Sequence, residues 1–225
     1  MASKTETLMK LETRVVDTAF EPIRSLRVEL EQSDTEARWY RDLLLCLVNS
    51  TLREHLNLKI GCQRSTAFLS WACRNLLELS ILAKYVGLSE KHAKRLVGDR
   101  IIDGIDLFES FEAWYAYVDP QRQQPELGQI LARLRAQKAK AGLPETKFLR
   151  ANELAKSVGM ETEFRHMNKV CSKFIHPTAW SVLNALNECE LRGMRSILLT
   201  SGVTYGLRIC TTLRSHINSF GVKPA

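Results

Sequence analysis

Apolar residues recur at helical spacing along most of the chain. Leu8, Leu11 and Val15 stand at i, i+3 and i+7, and Val16 widens that stripe. Phe20-Glu21-Pro22 predicts an interruption, because proline lacks an N–H and its ring collides with the preceding turn. A second helix is predicted from about Ile23 to Glu31, with Ile23, Leu26 and Leu30 on one face. Ser33-Asp34 offers an N-cap for a third, about Thr35 to Asn57. Its apolar set is Trp39, Leu43, Leu44, Leu47, Val48 and Leu52, wide enough to pack on two neighbours.

After a break near Gly61, residues 63–86 carry Phe68, Leu69, Trp71, Ala72, Leu76, Leu79, Leu82 and Ala83 with little polar face. This segment is predicted to be the central helix. Gly87 and Ser89 supply a helix stop and a new N-cap. A long helix then runs over about 90–117, with Leu96, Val97, Ile101, Ile105, Phe108, Phe111 and Tyr115 as its expected buried side. Asp119-Pro120 ends it. Further helices are expected over about 125–141, 147–158, 161–175, 179–191 and 195–220, with a turn at His176-Pro177. Strict alternation with β-branched residues is not sustained anywhere. The predicted fold class is therefore all-α, a single bundle of about seven to nine helices. The predicted organisation is a helical lead-in over 1–34 and a bundle domain over 35–220.

Composition sharpens this picture in three ways. No run of about 18 apolar residues occurs, so no membrane span is expected, and the first 20 residues lack the apolar core of a secretory signal. The six cysteines include no CxxC pair and mostly lie in apolar helical stretches. They fit small buried hydrophobes in a reducing cytoplasm, with no metal site and no cofactor expected. The net charge of +7 is uneven: residues 1–120 carry −2, residues 121–156 carry +5 and residues 157–225 carry +4. A basic surplus of that kind permits an anionic partner such as RNA or a nucleotide, or is simply a solvated face.

Two constellations could carry chemistry. Arg74 and Glu78 lie at i, i+4 in the most apolar helix, where a charge is costly unless paired. They form either an internal ion pair that fixes helix register, or an anion-binding arginine held by its carboxylate. Further along, Arg165, Asn168, Ser172 and His176 fall at i, i+3, i+7 and i+11, a single polar stripe. In a catalytic reading His176 is a general base, Ser172 a hydroxyl within its reach and Arg165 a stabiliser of developing charge. In a binding reading Arg74, Glu78, Arg165, Asn168 and His176 line an anion pocket. A pocket between two helices is expected if this stripe faces Arg74 and Glu78. Ser-His spacing alone lacks a GxSxG elbow and a third member. Asp99, Asp103 and Asp106 recur at i, i+4, i+7 beside Arg95 and Arg100, and predict a solvated salt-bridge face. Residues 154–160 resemble a helix-turn-helix turn, but Arg165 stands where the second helix needs an apolar residue, so DNA reading is not expected.

Taken together, an Arg-x-x-x-Glu in an apolar helix, a long aspartate- and aromatic-bearing helix and a Ser-x-x-x-His-Pro resemble a family of uncharacterised bacterial helical proteins. That family is grouped as a domain of unknown function and is similar to distant HEPN helical bundles. The likeness spans roughly residues 35–215. HEPN bundles include RNA-cleaving toxins and phage-defence proteins, whose signature places an arginine four to six residues before a histidine. None of the histidines at 55, 92, 166, 176 and 216 has an arginine at that distance. The resemblance implies a fold and a polar inter-helix pocket. It leaves open a module that binds RNA, nucleotide or another anion, a metal-independent ribonuclease, and a protein-interaction or homodimerisation bundle.

Overall fold

The computed structural model describes residues 4–33, 37–119, 125–141, 150–176 and 188–219. Among the described residues it is all-helical, with eight helices and no strand. They are α1 (Lys4–Gln32), α2 (Arg38–Arg64), α3 (Thr66–Val86), α4 (Glu90–Val118), α5 (Pro125–Lys140), α6 (Ala151–Ser157), α7 (Glu161–Ile175) and α8 (Glu188–Ser219). Chain contacts divide into two compact units, one of residues 1–87 and 151–225, the other of residues 88–150.

In the first unit, α3 is the hub and packs on α2, α6, α7 and α8, while α1 packs on α2 and α8. Leu69, Ala72, Cys73, Leu76, Leu77, Ile81, Ala83 and Val86 of α3 are buried, as the sequence predicted for its central helix. The expected break at Pro22 does not occur. Pro22 sits inside α1, whose Val16, Phe20, Ile23, Leu26 and Leu30 are wholly buried. That burial outweighs the ~3 kcal/mol a proline costs a helix interior. The break near Gly61 falls instead at Ser65, whose extended backbone ends α2 while its hydroxyl accepts the Phe68 N–H at 3.1 Å. Gly61 remains helical because α2 and α3 touch there. A β-carbon on it would stand 2.6 Å from the Leu69 nitrogen.

Helix α8 begins before the predicted Arg195 and runs 32 residues. The helix expected over 179–191 lies outside the described residues as far as 187. Two glycines one turn apart let α8 approach its neighbours. A β-carbon on Gly202 would lie 2.8 Å from Leu58 of α2, and one on Gly206 would lie 2.6 Å from the ring of Phe20 in α1.

In the second unit, α4 and α5 pack on each other, with Gly104 facing Leu134. The expected buried side of α4 is corrected here. Val97, Phe111 and Tyr115 are exposed, and the buried residues of the helix are Ala93, Gly98 and Asp99. The physical reason is length: α5 has 16 residues against 29 in α4, and a single partner helix covers one strip only.

Gly206→Ala should lower stability by about 1–3 kcal/mol, because the buried Phe20 ring has nowhere to retreat. Gly128→Ala in α5, where an added β-carbon meets nothing within 4 Å, should instead raise it by about 0.5–1 kcal/mol. Thermal unfolding followed by circular dichroism checks both. A neutral Gly206→Ala would contradict the close approach.

Candidate functional site: a basic groove along α7

Helices α6 and α7 are joined by a tight turn. Gly159 adopts φ +71°, the left-handed region, and the Met160 N–H reaches back to the Ala155 carbonyl at 2.7 Å. The turn aims Phe164 and Cys171 of α7 at the core, where both are buried. The Ser70 hydroxyl of α3 donates to the Cys171 carbonyl at 3.1 Å and fixes the roll of α7 about its axis. On the far flank, Arg208 of α8 pairs with Glu163 at 2.8 Å and lies over the Tyr205 ring.

With that roll fixed, the polar stripe turns outward. Arg165, Asn168, Ser172 and His176 line one open groove of about 660 Å³, together with Asn152, Glu161, Lys169 and Lys173. Three lysine or arginine side chains therefore face one carboxylate there. Arg165 and Lys169 are exposed, and no carboxylate among the described residues pairs with either. Asn168 Oδ1 is buried in the groove wall without a hydrogen-bond partner among the described residues. His176 caps α7 in extended conformation (φ −102°, ψ 144°), as expected for a residue held off the helical region by the following proline. The Ser172 hydroxyl donates to the Asn168 carbonyl at 2.7 Å, so its proton is committed to its own helix. That arrangement is a serine back-bond, not a serine poised on an imidazole.

The structure thus brings the α7 residues of the stripe together. Arg74 and Glu78 pair with each other, Nε to Oε1 at 3.0 Å, both about one-third exposed, and neither lines the α7 groove. The aspartate row is not uniformly solvated. Asp99 is buried, and Asp103 is pushed above the usual carboxylate range by burial and by the charges of Asp99 and Asp106. Among the described residues no group of His, Cys, Asp or Glu could hold a metal. The cysteines at 62, 73, 171 and 210 are buried free thiols, as expected, whereas Cys46 is exposed.

One titratable cluster escaped the sequence reading. His55 of α2 is almost wholly buried and stacks on Phe20 of α1 at 4.4 Å. Its Nε2 stands 3.3 Å from Asp17, which also takes Lys59 at 2.8 Å. Lys59 holds the Asp17 carboxyl below its ordinary range. Burial, helped by Arg24, pushes the imidazole down to about 4 against the opposing pull of Asp17. Asp17 is 42 residues from Lys59, so no local motif announces the cluster.

A family of unknown function (DUF5677) matches residues 70–194. That match covers more than half of the chain. The chain belongs to this family. No curated protein and no solved structure matches it. The DUF5677 region contains Arg74, Glu78 and every residue of the α7 stripe, whereas α1, α2 and most of α8 lie outside it. The sequence likeness to a domain family of unknown function is therefore confirmed.

The His55 cluster sets a pH dependence. In the unfolded chain the imidazole titrates near its ordinary 6.5, and in the folded chain at about 4. The folded state binds fewer protons between those values, so stability is full above pH 6.5 and falls as pH drops toward 4. His216, also lowered by burial, contributes in the same direction. The His55 part should amount to about 2–3 kcal/mol, read from urea unfolding at pH 7 and pH 4.5. His55→Gln should flatten the profile, and an unchanged slope would remove the assignment.

Proposed function

We propose that this DUF5677 protein binds an anion of nucleotide or RNA type in the groove along α7, in a bacterial cytoplasm. The observation that carries the reading is the wall of Arg165, Lys169 and Lys173 beside Asn168 and His176. Guanidinium and ammonium groups supply attraction to phosphate. The orphan Asn168 oxygen asks for a donor, which a ribose hydroxyl or a base amine provides. A groove of about 660 Å³ is of a size that takes a mononucleotide or one nucleotide of a strand. The likeness to HEPN bundles supports RNA as the anion. Arg74 and Glu78, tied to each other, serve in this reading as a helix-surface pair.

A second reading has one observation in its favour: Arg165 and His176 share the groove. In it the protein is a metal-independent ribonuclease. His176 would take the proton of the RNA 2′-hydroxyl, that oxygen would attack the adjacent phosphorus, and Arg165 would steady the charge on the phosphorane. The P–O5′ bond would then break to leave a 2′,3′-cyclic phosphate, the departing 5′ oxygen taking a proton from the imidazolium or from water. Ser172 would have no covalent part, since the RNA brings its own nucleophile. Lack of an arginine four to six residues before His176 weighs against this reading.

Arg165→Glu with Lys169→Glu should weaken binding of a fluorescein-labelled single-stranded RNA at least ~10-fold. The same change should shallow the slope of log affinity against log salt by about 1 to 2. Fluorescence anisotropy across a salt series measures both quantities. If wild type and double variant bind alike, the groove is not the site. For the ribonuclease reading, His176→Ala should abolish cleavage while leaving binding within a few-fold. Equal cleavage by both proteins would end it.

A further inference from the structure

The second unit does not bury what its sequence makes apolar. Along α4, Leu107, Phe111, Trp114 and Val118 fall at i, i+4, i+7 and i+11, which is the 3.5-residue spacing of a helix-pairing seam. With Tyr117 beside them, all are between 45% and 81% exposed. Counted from Gly104, which faces Leu134 of α5, these residues stand at i+3, i+7, i+10 and i+14, so the stripe prolongs the hairpin seam toward the C-terminal end of α4 and stays exposed there. The buried residues of the two helices are Ala93, Gly98 and Asp99 in α4 and Leu131 in α5. An amphipathic helix holds its shape mainly by covering its apolar side, and here a large part of that side is left bare.

The charges around the stripe narrow its occupant. Between Leu107 and Val118 the charged residues are Glu109 and Glu112 alone. Both project away from the stripe by helical geometry, and Glu109 already holds Arg135 of α5 at 2.8 Å. The residues that edge the stripe are Phe108, Ser110, Tyr115 and Tyr117. A strongly charged partner finds nothing to match there. A second copy, by contrast, meets no like charge when the same edges are brought together across a twofold axis.

We propose that α4 of one copy pairs antiparallel with α4 of a second, and that the two α4–α5 hairpins form a four-helix bundle. The twofold axis passes level with residues 112 and 113, which sets Phe111 against Trp114 of the other copy and Leu107 against Val118. The stripe with Tyr115 and Tyr117 exposes on the order of 600 Å² per copy. That is below the ~800 Å² per partner of a standard interface and in the range of a dimer that dissociates on dilution. This inference stands apart from the α7 groove and survives if that groove binds nothing.

The full chain at 1–100 μM, examined by sedimentation velocity, should be dimeric and should dissociate on dilution. Phe111→Glu and Trp114→Lys should each be monomeric over that range, a loss of at least ~100-fold in affinity for a central aromatic anchor. Because both side chains are exposed in the single copy, each variant should keep the wild-type helix content and melting midpoint when compared at concentrations where all are monomers. Mixed in equal amounts, the two variants should form a heterodimer, since the antiparallel register sets the new glutamate against the new lysine. A monomeric wild type overturns the proposal. So does a dimer that both substitutions leave intact, and failure of the mixture to associate overturns the register.

Discussion

The roll of α7 about its axis is the constraint on which the candidate site depends. The helix has one strongly apolar flank, and Phe164 and Cys171 on that flank go to the core. The Ser70 hydroxyl holds the Cys171 carbonyl, while Arg208 grips Glu163 from the other side. A polar residue on α7 is therefore presented or hidden according to its angle from that flank. Rotation by one residue would take Arg165 and Lys169 toward α3 and leave two buried cations. The groove is thus a by-product of packing: the basic wall faces outward because the core has no place for it.

Much of this could be read before any coordinates were known. The apolar density of residues 63–86 identified the central helix, and the spacing of Arg165, Asn168, Ser172 and His176 marked a common face. Such inferences work because they rest on periodicity within one helix. The relation between two helices is another matter. Whether Arg74 and Glu78 face the stripe was left open by the sequence; they bond each other, and neither lines the groove. No pattern inside either helix encodes which neighbour a given face will meet. The Asp17–His55–Lys59 cluster was missed for the same reason: its members come from α1 and α2, and each alone looks like a surface residue. Pro22 shows the reverse failure, in which a strong local signal yields to five buried neighbours on the same helix.

The two units differ in how completely they solve the problem of covering apolar surface. The first surrounds α3 on several sides and brings glycine into α8 wherever it must draw close. Its titratable groups are likewise arranged to avoid buried charge, with His55 held neutral by burial and His216 donating its Nε2–H to the Ala83 carbonyl at 3.0 Å. Among the described residues the second has only α5 to set against α4. Its aromatic residues are enough for a core, but the hairpin offers no third wall to enclose them.

The chain order of the first unit has a consequence for how it assembles. Ser70 and Cys171, which bond across α3 and α7, are separated by 101 residues, and residues 88–150 belong to the other unit. Closing so large a loop carries an entropic cost that grows only with the logarithm of its length, roughly 0.6 kcal/mol per doubling. Thermodynamically, the intervening segment can be lengthened or trimmed with little effect on the packing around α3. Kinetically it is a delay, because α6, α7 and α8 must all be synthesised before the hub acquires most of its walls. Until then α3 has only α2 packed against it, a window in which a nascent chain depends on its surroundings to remain unaggregated.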